Sequence, residues 1–329
     1  MLYIETNSIK PYVNLAYEEY FLKNKNLDSE SIFMLWRNEP TVVVGKFQNT
    51  SNEINSGFIN EKGIHVIRRI TGGGAVYHDL GTLCYTFIFR NLSVENLSFS
   101  IFASLVLKAL SAFGIKGELN GRNDLTIEGA KFSGTAMSLH KDSLLFHGTI
   151  LYDTDLSVLG NALNVRDDKF KTKGIKSVKS RVTNILPYVK ENFGIEAFKE
   201  TLKEAVLQEL PCEEYIPTAE DIEGIKELSE EKYKMWDWNY GKDPKAEFHN
   251  RKRFPGGEVE VYLDLENAKI KSCKIYGDFL GVTDIGIIEK KLKGIRYERD
   301  EIMLVLKRIN MKEHFGLISE EEFLECMFN

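Results

Sequence analysis

The chain has 329 residues, of which 43% are hydrophobic and 11% aromatic, and this is enough apolar material for a main domain and a smaller second one. Its net charge of -6 argues against a general nucleic-acid-binding protein. No apolar run approaches the roughly 20 residues that cross a bilayer. The N-terminus also lacks a basic and then apolar signal pattern, so we expect a cytoplasmic protein.

Helical and strand-like patterns alternate irregularly over the first two thirds of the chain. Asn14 to Lys23 has the spacing of an amphipathic helix. A longer helix is expected from Ser98 to Phe113, with Gly114 as its C-cap. Further helices are expected at Ile195 to Leu210 and Thr218 to Tyr233. Strands are expected at Ser31 to Trp36, Thr41 to Gly45, Leu83 to Phe89, Leu125 to Ile127, Leu144 to Phe146 and Thr149 to Tyr152. This order predicts an α+β fold with a mixed, largely antiparallel sheet flanked by helices.

A second unit is expected after a boundary near residue 245, where Asp243-Pro244 precedes a charged stretch from His249 to Arg253. Apolar and polar residues alternate from Val259 to Leu265, which predicts a half-buried hairpin whose partner strand runs through Ile275. Helices are expected near Ile287 to Leu292 and Glu301 to Arg308. Ser319 and Glu322 form a capping box for a last helix. The predicted domains are therefore 1–245 and 246–329.

Three consecutive glycines, Gly72 to Gly74, lie between two arginines, Arg68 and Arg69, and the pair His78-Asp79. Glycine backbone allows close approach of a ligand, and consecutive N–H groups with nearby arginines suit an anion. The segment does not match a P-loop or a dinucleotide fingerprint. A glycine-rich hairpin turn fits these residues equally well.

Lys131 is surrounded by small residues, namely Ala130, Ser133, Gly134 and Ala136. Small neighbours around a lysine indicate that another group comes close to it. An exposed lysine at a hairpin turn is the alternative, and the lysine segment alone does not decide between them.

Several segments in one order along the chain resemble the lipoate-protein ligase family. They are Arg68-Arg69-x-x-Gly72-Gly73-Gly74-Ala75-Val76-Tyr77-His78-Asp79, Gly121-Arg122-Asn123-Asp124-Leu125, Lys131-x-Ser133-Gly134-x-Ala136, His147-Gly148-Thr149-x-Leu151 and Lys179-Ser180-Arg181-Val182-Thr183-Asn184. Three further segments also match in position: Asn14-Leu15-Ala16 with Glu18-Glu19, Trp36-Arg37-Asn38, and the stretch from Trp236 to Gly241. The resemblance covers both predicted domains.

The resemblance implies a two-step enzyme that activates lipoic acid with ATP as lipoyl-AMP, with magnesium on the departing phosphates. The lipoyl group would then pass to a lysine of apo lipoyl domains, in the E2 subunits of 2-oxoacid dehydrogenases and in the glycine cleavage H protein. Residues 1–245 would form the catalytic domain and 246–329 an accessory domain. We expect a monomer without a nucleic-acid or membrane partner.

Site residues follow from the resemblance by position. Lys131 is expected to act as an electrostatic stabiliser in both steps, because a phosphate partner keeps it protonated. The expected nucleotide contacts are Arg69, Gly72, Gly73, Gly74, Ala75, Val76, Tyr77, Asn123, Asp124 and Lys131. The expected lipoyl contacts are Leu15, Ala16, Trp36, Arg68, His78, Lys131 and His147. Asp124 is the candidate magnesium ligand, although Asn123 and Asp124 also fit a turn-capping pair.

The sequence leaves three alternative functions to consider. An acyltransferase of the same superfamily would form a thioester on a cysteine, and Cys84 is the candidate. No base is adjacent to Cys84 in sequence, so a buried small apolar residue is the better interpretation. A non-catalytic effector-binding protein is the second alternative. A biotin ligase, which shares the fold, is the third, although its glycine-arginine loop differs from Gly72-Gly73-Gly74-Ala75.

Overall fold

The computed structural model describes residues 1–23, 27, 30–90, 99–111, 113–120, 123–164, 182–189, 194–210, 212–240 and 248–328. In chain order the strands are β1 (Leu2–Glu5), β2 (Ile32–Trp36), β3 (Thr41–Val44), β4 (His65–Arg68), β5 (Val76–His78), β6 (Thr82–Phe89), β7 (Glu118–Asn120), β8 (Asp124–Ile127), β9 (Ala130–His140), β10 (Ser143–Leu151), β11 (Glu213–Glu214), β12 (Phe248–Phe254), β13 (Gly257–Glu266) and β14 (Lys269–Gly277).

The helices in chain order are α1 (Pro11–Lys23), α2 (Thr50–Glu53), α3 (Ser56–Lys62), α4 (Phe99–Ser111), α5 (Leu156–Ala162), α6 (Ile195–Glu209), α7 (Ala219–Leu228), α8 (Trp236–Asn239), α9 (Gly286–Leu292), α10 (Arg299–Leu306), α11 (Met311–Phe315) and α12 (Glu320–Phe328). A 3₁₀ turn covers Leu186–Tyr188, and a π-helical turn, Ser229–Tyr233, continues α7. No helix in the described ranges is long and apolar enough to cross a membrane.

The largest sheet has eight strands in the order β11-β1-β2-β6-β10-β9-β8-β7. β1 is parallel to β2 and to β11, and the other neighbouring strands are antiparallel. A small mixed sheet, β4-β3-β5, and an antiparallel sheet, β12-β13-β14, complete the strands. The predicted α+β fold with a mixed, largely antiparallel sheet is confirmed.

The two faces of the large sheet bury different residues, because side chains alternate along a strand. On one face Phe33 and Leu35 pack with residues of α4 and α6. On the other face Met34 and Trp36 pack against α1. The space between α1, this second face and the small sheet β4-β3-β5 holds the candidate site.

α1 was expected to be amphipathic, and this prediction is wrong. Asn14, Glu18 and Glu19 on it are at most 1% exposed. The large sheet covers one side of the helix, while α7 and the π-helical turn cover another. Its polar side chains therefore bond to other elements, as Glu19 does to Lys232 and to the hydroxyl of Tyr233.

Seven strands were missed, namely β1, β4, β5, β7, β9, β11 and β12, and two predicted strand pieces are one strand. β10 runs without a break through Gly148, where two separate pieces were expected. β9 was missed because its glycine, serine and lysine content masks the alternation. β1 was also missed, and β12 contains the charged stretch from His249 to Arg253 that helped to mark the predicted domain boundary. The predicted boundary near 245 lies among residues 241–247, outside the described residues.

The C-terminal hairpin is more buried than predicted. Glu258 and Glu260, expected on its solvent face, are 2% and 3% exposed. Backbone contacts join this unit to the rest of the chain, since the N–H of Gly277 donates to Phe47 O at 2.7 Å and that of Gly73 to Phe279 O at 3.2 Å. The predicted capping box is confirmed: Glu322 N donates to Ser319 Oγ, and Ser319 N donates to Glu322 Oε2.

Candidate active site

A cavity of about 590 Å³ opens between the large sheet, α1 and the small sheet. Eleven of the sequence-predicted site residues line it: Leu15, Trp36, Arg69, Gly73, Gly74, Ala75, Val76, His78, Asn123, Lys131 and His147. Residues far apart in sequence therefore share one space. Apolar side chains lie at the α1 end, and the glycine loop with Lys131 lies at the other.

Arg69 holds the glycine loop in shape. Its Nε donates to Thr71 Oγ1 at 2.9 Å, Nη1 to Val43 O at 3.1 Å, and Nη2 to Gly72 O and Gly74 O at 2.7 and 2.9 Å. Burial lowers the pKa of Arg69 to about 10, so the guanidinium stays charged at neutral pH. Four of its five N–H groups are thus used within the protein, and its positive charge lies directly behind the loop.

The glycines are required by close backbone approach. A Cβ on Gly45 would lie 2.0 Å from Gly73 O, and Gly73 itself has a φ of 89°. In the described structure the N–H groups of Gly74 and Ala75 donate to no protein acceptor. Two adjacent free amides backed by a buried cation favour an anion at this loop.

Lys131 lies near the start of β9 and lines the cavity. Its Nζ is 2.7 Å from Asp124 Oδ1, and both side chains are about one third exposed. A Cβ on Gly134 would come within 2.9 Å of this Nζ, so a larger residue there would displace the lysine. Its small neighbours therefore make room for the lysine side chain itself, and Lys131 lies in a strand and not at the hairpin turn that was the alternative.

His147 belongs to a buried chain of hydrogen bonds at the α1 end. Its Nδ1 is 2.8 Å from Glu18 Oε1, and its Nε2 is 2.8 Å from Thr71 Oγ1. Glu18 also accepts from Thr86 Oγ1 at 2.5 Å, and Thr86 accepts from Trp36 Nε1 at 2.9 Å. The network joins the apolar end of the cavity to Arg69 through Thr71.

His78 and Cys84 are both buried beside Trp36 and are both neutral. Burial, with the nearby Arg69 and His147, lowers the pKa of His78 to about 3. Burial raises the pKa of the Cys84 thiol well above its usual value. The thiol lies 3.6 Å from His78 Nδ1, so a nitrogen base that the sequence did not indicate is adjacent to it. The two pKa directions oppose a thiolate–imidazolium pair.

The neutral state of His78 predicts a pH-dependent stability. An unfolded histidine titrates near 6.5, so the unfolded chain gains a proton that the folded protein does not take up until about pH 3. Stability should fall as the pH drops through this window. Between pH 7 and pH 5 this group should remove about 2 kcal/mol of unfolding free energy, and His78→Phe should abolish that contribution. Urea unfolding at both pH values tests this, with the exposed His65→Phe as the control. Equal pH dependence in wild type and His78→Phe would contradict it.

Five predicted site residues do not line the cavity. Arg68 points away, because its guanidinium donates to Gly45 O, Gln48 O and Thr50 Oγ1 and to the backbone of α8. Its expected lipoyl contact is therefore corrected to a structural role. The other four are Ala16 and Tyr77, which pack in apolar cores, Gly72, which lies against Phe279 O, and Asp124, which lies beside the cavity on Lys131.

Several lining or supporting residues were not predicted. Glu18, Thr71 and Thr86 build the network behind the cavity, and Val43, Cys84, Gly134, Thr135, Ala136, Gly148 and Thr149 line it. Gly134 and Thr149 fall within the motifs that carry the resemblance, so the sequence contained a signal for them. Glu18 lies in the first-helix segment that also matches the family, but its hydrogen-bond partners lie 68 and 129 positions away and were not predicted.

The described residues of the site provide few ligands for a metal ion. No group of three histidine, cysteine or acidic side chains that could hold a metal occurs in the described ranges. Asp124 supplies one carboxylate, which is paired with Lys131. A single carboxylate fits a magnesium ion that takes its other ligands from water and phosphate oxygens.

Two family models match successive parts of the chain. The lipoyl protein ligase A/B catalytic domain matches residues 10–207, and the bacterial lipoate protein ligase C-terminus matches residues 243–327. The chain belongs to the lipoate-protein ligase family. The predicted family membership and enzyme class are therefore confirmed.

Individual lipoate-protein ligases are similar over the same extent. The chain is 41% identical to lipoate-protein ligase LplJ of Bacillus subtilis, with all of both chains covered. The crystal structure of P. falciparum LipL1 in complex with lipoate matches with a TM-score of 0.81 and 30% identity, covering 98% of this chain and 97% of that one. A lipoate-protein ligase A bound with ATP matches with a TM-score of 0.61 and 26% identity, covering 73% of this chain and 97% of that one.

Proposed function

We propose that this enzyme joins lipoate to ATP as lipoyl-AMP in the cavity and then transfers the lipoyl group to a lysine of an acceptor protein. The observation that carries the proposal is that Lys131 and a glycine loop with two free amides line the same cavity as the apolar side chains of Leu15 and Trp36. Similar ligases have been solved with lipoate and with ATP. One cavity with both kinds of surface suits a molecule that is apolar at one end and anionic at the other.

In the first step a carboxylate oxygen of lipoate attacks the α-phosphorus of ATP, an O–P bond forms, and pyrophosphate leaves. Two anions must meet, so positive charge and N–H donors are needed where charge accumulates. Lys131, Gly74 and Ala75 line the same cavity, and the Arg69 guanidinium donates to Gly72 O and Gly74 O within the loop. Trp36, Leu15 and His147 would surround the acyl chain.

Magnesium is expected to neutralise the departing phosphates when it is bound. Asp124 is the protein group that would hold it, and its pairing with Lys131 keeps it beside the cavity.

In the second step an acceptor lysine attacks the mixed anhydride, an amide bond forms, and AMP leaves. Negative charge develops on the acyl carbonyl oxygen, and the Lys131 ammonium is placed to donate to it. The acceptors we propose are apo lipoyl domains of 2-oxoacid dehydrogenase E2 subunits and the glycine cleavage H protein. The enzyme would act as a monomer.

A labelling assay tests the two-step route. An apo lipoyl domain should gain one lipoyl mass only when lipoate, ATP and magnesium are all present, and lipoate should drive pyrophosphate exchange into ATP. Full labelling without ATP would contradict the proposal. An absence of lipoate-dependent pyrophosphate exchange would favour a non-catalytic binding protein.

The contact between Cys84 and His78 makes acyl transfer through a thioester a second candidate. The thiol of Cys84 is buried and protonated, and this argues against the thioester route. We expect Cys84→Ser to keep lipoate-dependent labelling within about threefold of wild type, because the substitution exchanges one small buried group for another at a modest packing cost. Mass spectrometry of the labelled acceptor measures this. Loss of labelling in a folded Cys84→Ser protein, together with an acyl adduct on wild-type Cys84, would favour the acyltransferase.

A further inference from the structure

His78 carries an unsatisfied hydrogen-bond donor in the apolar part of the cavity. Its ring is 3% exposed, and its Nε2 is buried without a hydrogen-bond partner. Among the described residues that line the cavity, only His78 has a buried side-chain nitrogen or oxygen without a hydrogen-bond partner. His147 differs, because Glu18 and Thr71 satisfy both of its ring nitrogens.

A chain of amides fixes which nitrogen of His78 carries the proton. Asn14 Nδ2 lies 3.0 Å from Ser8 O and 2.8 Å from Arg37 O, and these carbonyls require an NH₂ group there. The same NH₂ faces Asn38 Oδ1 at 2.9 Å, so Asn38 turns its own NH₂ toward His78 Nδ1 at 3.2 Å. His78 Nδ1 must accept, and the neutral ring therefore carries its proton on Nε2.

The register of the large sheet places this donor far from Lys131. Cys84, which touches His78, pairs with Thr149 on one side and with Trp36 on the other. Lys131 lies on β9, and β10 lies between β9 and β6 in the sheet. Two strand intervals, about 10 Å, therefore separate β9 from β6. A carboxyl or acyl phosphate held by Lys131 therefore does not reach His78.

We propose that His78 donates its Nε2 hydrogen to a sulfur of the lipoyl dithiolane and so selects sulfur-bearing acyl chains over plain fatty acids of the same length. The sulfurs lie at the end of the chain remote from the carboxyl, where the donor lies, and divalent sulfur is a weak acceptor. Octanoate would leave the buried N–H without a partner, and a site built around a hydrogen bond discriminates against a substrate that lacks it. This inference rests on the proposed function of the cavity.

The test compares lipoate with octanoate in acid-dependent pyrophosphate exchange. Wild type should favour lipoate in kcat/KM, and His78→Phe, which keeps a ring but removes the donor, should reduce the ratio of the two kcat/KM values about tenfold. His140→Phe, at the end of β9 in the large sheet and outside the cavity, should keep the wild-type preference. An unchanged preference in His78→Phe would overturn the inference. If folded wild type activates neither acid, the proposed function fails instead.

A second measurement needs no variant at the site. In protein labelled with ¹⁵N-histidine, the ring of His78 should be neutral and protonated on Nε2, and lipoate should shift this nitrogen more than octanoate does. Protonation on Nδ1, or equal shifts with both acids, would overturn the inference even if His78→Phe does not fold.

Discussion

Lys131→Met is expected to lower lipoate-dependent pyrophosphate exchange by about 100- to 1,000-fold, the usual loss when a preorganised charge is removed from a transition state. The fold should be retained, since the Lys131–Asp124 pair is partly exposed and such pairs contribute at most about 1 kcal/mol. Single-turnover transfer from synthetic lipoyl-AMP should also be slow, because the same ammonium is assigned to the second step.

Lys226→Met is the matched control. Lys226 pairs with Glu223 on an exposed helix face, so the same change there should leave both reactions intact. Normal exchange in Lys131→Met would refute the role in adenylation. Normal transfer from lipoyl-AMP with slow exchange would restrict the lysine to the first step.

Arg69→Lys is expected to damage both stability and catalysis. A lysine ammonium cannot reach the four acceptors around the guanidinium, so buried carbonyls and Thr71 lose their donors. We expect a loss of about 2–4 kcal/mol in unfolding free energy. Exchange should fall at least about 100-fold, because the loop amides lose their fixed direction. Urea unfolding and the exchange assay measure the two effects.

Arg299→Lys provides the comparison, since Arg299 makes an exposed pair with Glu321 at 2.9 Å. It should behave as wild type in both assays. A stable and active Arg69→Lys enzyme would show that the loop keeps its shape without the guanidinium.

Local sequence patterns predicted the fold class and most elements. They could not predict contacts between segments that are distant in sequence. The hairpin and the helices from Ile195 onward follow from periodicity and caps, which neighbouring residues determine. α1 was misjudged because periodicity cannot show that a polar face is covered by another part of the chain. Strand β9 was missed because packing, and not propensity, makes Lys131 part of a strand.

The family resemblance predicted which positions form the site. It did not predict the direction in which their side chains point. Arg68 and Arg69 are adjacent and chemically equal, yet Arg69 lies behind the loop while Arg68 faces Gly45 and α8. Successive residues of an extended chain point to opposite sides, so only one of the two could face the cavity. Which of them does so depends on the acceptors around each, and those come from segments up to 171 positions away.

The attachment of Arg68 to α8 has a consequence for biosynthesis. Its guanidinium and amide bond to Trp238 and Asn239, while the indole of Trp238 donates back to Arg68 O at 2.8 Å. At 5–20 residues per second, a ribosome needs roughly 10 to 30 seconds to add the 170 residues between these partners. Until then the buried arginine beside the glycine loop lacks part of its acceptors. Arg68 thus acquires its full set of acceptors late in synthesis, after the first helix and the central strands have left the ribosome.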